Sequence, residues 1–194
     1  MLVFWKARFV LLAVPKTGTT ALEAALAPRA DAAILNPPGL KHCGVAKYRR
    51  DLAPFFEQRG RRPLELVAVM REPVSWLGSW FRYRSRPGLA GQPNSTEDMD
   101  FAGFVDAYLS KQPPPFAKIG SQARMLAGGV DHLFRYDRPE QLYRFLEDRI
   151  GPLPEIELRN SSPARPVDLD DIRRRRLEIE RADDFDLWRS LAAP

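Results

Sequence analysis

The chain has 194 residues, 44% hydrophobic and 28% charged, which fits one globular domain spanning residues 1–194. A single cysteine, Cys43, excludes an internal disulfide framework and any multi-cysteine zinc site. With 30 basic and 25 acidic residues the formal net charge is +5, which favours anionic ligands without naming them.

The apolar start, residues 1–14, is interrupted by Lys6 and Arg8 and is too short for a membrane span. It reads as a buried strand, its continuous part at residues 9–14 having the pattern of a parallel strand covered on both faces. With no span elsewhere, the expectation is a cytoplasmic protein. Pro15 ends the strand, a Gly/Thr-rich turn follows, and Ala21, Leu22, Ala25 and Leu26 repeat at helical spacing. Strand, loop and helix in about 20 residues open a βαβ unit.

Residues 44–59 read as an amphipathic helix carrying Val45, Tyr48, Leu52 and Phe56. A second strand at 64–70 ends at Arg71-Glu72-Pro73, and proline suits the first turn of a new helix. There Val74, Leu77 and Phe81 share one face, and Ser75, Ser79 and Arg82 another. Residues 84–100, rich in Pro, Gly, Asn and Ser, read as a mobile loop. A helix is expected at 101–109, a break at Pro113-Pro114-Pro115, a strand at 131–136 and a helix at 139–150. A loop with Asn160-Ser161-Ser162-Pro163 then precedes one long C-terminal helix at 168–191. This alternation predicts an α/β fold of three layers around a mostly parallel central sheet, with a P-loop-like phosphate-binding loop.

That loop is Pro15-Lys16-Thr17-Gly18-Thr19-Thr20. Gly18 lets the backbone approach an anion closely. Thr19 and Thr20 offer hydroxyls beside the N–H groups of a helix start, and Lys16 adds a full charge. The Gly-x-x-x-x-Gly-Lys-Ser/Thr order of an ATP or GTP loop is absent. Arg71 stands at the carboxyl end of the second strand, where open α/β sheets bind ligands. Its planar fork and the Ser79 hydroxyl suit a second phosphate. Each segment alone also reads blandly, the first as a capped turn and the second as a strand-end arginine with an exposed serine.

Together they resemble a family. Lys16-Thr17-Gly18-Thr19-Thr20 is similar to the 5′-phosphosulfate loop of sulfotransferases that use 3′-phosphoadenosine 5′-phosphosulfate (PAPS), and Arg71-Glu72-Pro73 with Ser79 to their 3′-phosphate motif. Leu133-Phe134-Arg135-Tyr136-Asp137 and Asp184-Phe185-Asp186-Leu187-Trp188 resemble later segments of the bacterial carbohydrate-type branch. Trp76 stands where many of these enzymes have another arginine, for which Arg82 or Arg84 would have to substitute.

The resemblance implies that Lys16 stabilises the departing phosphate and that backbone N–H groups of Thr17, Gly18, Thr19 and Thr20 hold the 5′-phosphate. It also implies that Arg71 and Ser79 grip the 3′-phosphate, and that PAPS is the co-substrate with no metal. The acceptor is then a hydroxyl or amine on a small molecule or glycan. A general base is needed, and the resemblance points to His42. Glu23 and Asp51 stay open, while His132 reads as structural. Cys43 reads as buried, Arg173-Arg174-Arg175-Arg176 as a solvated helix face, and Trp76 and Trp80 as core or acceptor pocket. Two other classes compete: an ATP-dependent kinase with Asp137 on magnesium, and a non-catalytic nucleotide-binding module. No nucleic-acid motif is present.

Overall fold

The computed structural model describes residues 1–156 and 163–191; Asn160, Ser161 and Ser162 of the expected loop lie outside them. Five strands form one sheet, β1 (Leu2–Phe4), β2 (Phe9–Leu11), β3 (Ala32–Ala33), β4 (Glu65–Met70) and β5 (His132–Arg135). Ten α-helical segments are described: α1 (Thr19–Leu26), α2 (Pro38–Lys41), α3 (Val45–Lys47), α4 (Ala53–Phe56), α5 (Pro73–Arg84), α6 (Phe101–Leu109), α7 (Gln122–Leu126), α8 (Pro139–Ile150), α9 (Asp171–Glu180) and α10 (Ala182–Ser190). The chain divides into two compact units. The first is built from Met1–Arg71 and the stretch beginning at Gln122, the second from Glu72–Ser121 and the C-terminal helices.

In the first unit the sheet order is β3-β1-β2-β4-β5. β2, β4 and β5 run parallel, whereas β1 pairs antiparallel with both β2 and β3. The sheet is therefore mixed, which corrects the expectation of a mostly parallel one. The cause is a tight reversal at residues 5–8, where Arg8 takes a left-handed φ of 66° and turns the apolar start into a hairpin. Alternation then sorts the side chains by face. Leu2, Phe4, Phe9, Leu11, Val67 and Val69 pack with Leu22 and Leu26 of α1 and with Leu142 and Leu146 of α8. Val3, Val10, Leu66 and Ala68 are buried on the other face. There the expected 44–59 helix runs as α3, a π-helical stretch at Tyr48–Leu52, and α4. Its end is fastened by Trp5 Nε1 donating to Phe56 O at 3.0 Å. Helical layers on both faces fit the α/β expectation.

In the second unit α5 begins on Glu72, whose carboxylate accepts from Ser75 N at 2.6 Å, with Pro73 in the first turn. Val74, Leu77 and Phe81 join a core with Phe101, Phe104 and Tyr108 of α6, Leu177 of α9 and Phe185 of α10. The face division expected for α5 holds: Ser75, Ser79 and Arg82 are half-buried. The stretch after α5 is anchored, against the expectation of a mobile loop. Thr96 is fully buried, its Oγ1 donates to Phe81 O at 2.7 Å, and the Arg165 guanidinium donates to the carbonyls of Thr96 and Met99. The single long C-terminal helix is likewise two helices, broken at Arg181 (φ −128°, ψ 36°). The Arg181 side chain donates to Tyr108 O and lies over the Tyr108 ring. Among the described residues no helix is long and apolar enough to cross a membrane.

Candidate functional site

The parallel pairing of β2 with β4 matches Phe9 to Glu65, Val10 to Leu66 and Leu11 to Val67. Chain segments leaving the carboxyl ends of these strands must therefore emerge side by side. The first is 15–18. Lys16 has a φ of 66° and Gly18 one of 77°. Two left-handed residues this close bend the main chain sharply between β2 and α1. Thr17 is buried, its hydroxyl donating to Val14 O at 2.8 Å, so it braces the loop from below. Gly18 is the N-cap of α1, and no side chain caps that helix. Ala21 N donates to Gly18 O at 3.0 Å, so the N–H groups of Thr19 and Thr20 are the ones of the first turn that suit an outside anion. Thr19 is buried and Thr20 exposed.

The second segment is Arg71. Its Nη1 donates to Lys16 O at 3.3 Å, which joins the two motif segments directly. Two further residues, which sequence reasoning did not assign to the site, set its place. Gln122, fully buried at the start of α7, accepts from Arg71 N at 2.9 Å and donates to Arg71 O at 2.7 Å. Tyr136 lies under the guanidinium, 4.4 Å from its ring centre to the carbon. Register explains Tyr136: Met70 pairs with Arg135, so the next residues leave their strands together. A Cβ on Gly18 would come within 3.3 Å of the Tyr136 ring. Three adjacent strand ends thus contribute Lys16 and Gly18, Arg71, and Tyr136 to one edge of the sheet.

His42 joins from the short helix α2, which it ends. Its Nδ1 lies 2.6 Å from Ala13 O, three residues before Lys16. A carbonyl can only accept, so Nδ1 carries the hydrogen and Nε2 keeps its lone pair. Burial holds the imidazole pKa below its ordinary value, outweighing the opposing bond to Ala13. A neutral imidazole with a basic Nε2 is the state a proton acceptor needs.

The competing bases are otherwise engaged. Glu23 is buried and its two oxygens meet the N-terminal ammonium at 2.7 Å and Lys41 Nζ at 2.6 Å. Asp51 is exposed, and bonds from Arg50 and Lys47 hold its pKa at about 2. His132 bonds to Glu65 at 3.0 Å and packs on Phe145, a structural setting. Burial raises the Cys43 thiol pKa. Asp137 is bound at both oxygens by Arg135, at 3.0 and 2.7 Å, which lowers its pKa.

Ser79 lies in the second unit, half-buried on α5. There too Trp76 is a core residue, 2% exposed. Arg82 donates to Arg165 O and Arg84 to Pro115 O. In the Arg173–Arg176 run, Arg173 and Arg176 both bind Asp106 of α6, so half of that expected solvated face is a helix-to-helix tether. Compared with known proteins, the chain matches no family model, no curated protein and no solved structure.

Proposed function

We propose that this chain is a PAPS-dependent sulfotransferase, acting on a hydroxyl or amine of a carbohydrate or small metabolite. The observation that carries the reading is the Arg71–Lys16 contact at 3.3 Å. It supports the reading because it brings together at one sheet edge two segments that would each take one phosphate of a doubly phosphorylated adenosine. In this reading the curled 16–18 backbone and the first turn of α1 take the 5′-phosphosulfate, and Arg71 takes the 3′-phosphate. A guanidinium carries five donors and can bridge Lys16 O and a phosphate at once. The reading rests on residues of the first unit alone, and Ser79 is given no part in it.

The chemistry follows from what these groups do. The acceptor oxygen attacks sulfur while the bond from sulfur to the 5′-phosphate oxygen breaks, and that oxygen keeps the bonding electrons. The Lys16 ammonium neutralises the charge developing there. His42 Nε2 takes the proton of the acceptor hydroxyl. The kinase alternative would need Asp137 for magnesium, and Arg135 already holds that carboxylate.

The test is transfer of labelled sulfate from PAPS to a panel of sugars, phenols and amines, read by mass spectrometry. Transfer is expected to at least one acceptor, with Lys16→Ala reducing it by roughly 100-fold or more. Undiminished turnover by Lys16→Ala would remove the lysine from the mechanism. No transfer to any acceptor, together with no binding of adenosine 3′,5′-bisphosphate, would overturn the assignment.

A further inference from the structure

His42 is fixed by more than its bond to Ala13. The residue before it, Lys41, sets its Nζ 2.6 Å from Glu23 Oε2. Glu23 stands on α1, one turn beyond the N–H groups that open that helix. The pair is largely buried, with side chains 15% and 7% exposed. Glu23 also meets the N-terminal ammonium at 2.7 Å, so loss of the Glu23 charge would leave two largely buried cations poorly compensated, and the cluster holds its segments in one arrangement. The strand end, through Ala13, and the phosphate-loop helix, through Glu23, therefore both grip the segment that carries the imidazole.

We infer that Glu23 and Lys41 are positioning residues for His42, holding its Nδ1 on Ala13 O so that a neutral Nε2 keeps a fixed place relative to the Lys16 loop. The positioning is a property of the free protein, and its catalytic meaning rests on the function proposed above. Three charges act on the imidazole: Lys41 and the N-terminal ammonium oppose its protonation, and Glu23 favours it. Loss of the Lys41 charge should therefore raise the His42 pKa, and loss of the Glu23 charge should lower it.

The experiment is 15N NMR of the full chain with labelled histidine, comparing the native protein with Lys41→Met, Lys41→Arg and Glu23→Gln. The native His42 should be a single tautomer protonated on Nδ1. Lys41→Met should mix the tautomers and move the titration to higher pH, Glu23→Gln should move it to lower pH, and Lys41→Arg should restore the native signature. With PAPS and an acceptor, Lys41→Met should lower kcat roughly tenfold on the acid side of the pH profile, with KM for PAPS changed less than about twofold. An unchanged tautomer and titration in both Lys41→Met and Glu23→Gln would overturn the inference. So would altered NMR signals with native kcat at every pH. If the signals move as expected but PAPS supports no transfer, the positioning stands and the sulfotransferase reading falls. Because Glu23→Gln keeps the hydrogen-bonding shape, it serves if Lys41→Met does not fold.

Discussion

Lys16 is an unusual residue to find at a φ of 66°, a region that costs a side chain with a Cβ roughly 1–2 kcal/mol. Gly18 meets the same requirement two residues later at no such cost, and there the neighbouring Tyr136 ring also leaves little room, 3.3 Å from an added Cβ. Gly18→Ala is therefore expected to destabilise the protein by about 1 kcal/mol and to push Tyr136 away from Arg71. Denaturant titration and the fluorescence of the nearby tyrosine check both, and an unchanged midpoint would show that the loop relaxes without strain. The turn at 15–18 between β2 and α1 was readable in the sequence, because Pro15 and Gly18 mark it locally. Gln122 and Tyr136 were not assigned to it, since their roles come from contacts 51 and 65 positions away from Arg71 in the chain. Only strand register, which the sequence does not display, brings them there.

At the scale of elements, apolar runs and proline positions revealed β4, β5, α5, α6 and α8 to within a residue or two. Breaks made without glycine or proline were invisible. The 5–8 reversal turns on Arg8 and the C-terminal break on Arg181, both residues that ordinarily continue an element. The stretch after α5 failed for a different reason: its composition is that of a loop, yet Thr96 anchors it. Thr96→Val keeps the volume but leaves Phe81 O without that donor, and so isolates the hydrogen bond. A loss of about 1–2 kcal/mol is expected, with faster amide exchange across residues 86–99. A variant of native stability and native exchange would mean that the segment is held by its other bonds, from Arg165 and from Thr96 N to Arg84 O, and not by the Thr96 hydroxyl.

At the scale of the molecule, a mixed sheet places one polar edge beside three strand ends, and a net charge of +5 adds a general pull on anions. A general pull does not distinguish one nucleotide from another, whereas Arg71 on its Gln122 and Tyr136 supports is a local feature that should. Ligand that binds only the folded chain stabilises it by about 2.7 kcal/mol at 100 times its Kd. For a protein of this size that raises Tm by roughly 5–10 °C. Adenosine 3′,5′-bisphosphate without magnesium should produce that shift, and AMP at the same concentration a smaller one. On the proposed reading, Arg71→Ala should make the two shifts equal. Raising the salt should weaken both nucleotides, yet preserve their order in the native protein, since a close guanidinium–phosphate contact would outlast diffuse attraction. Equal shifts from both nucleotides in the native protein would mean that Arg71 serves the loop alone and that no 3′-phosphate is read at this edge.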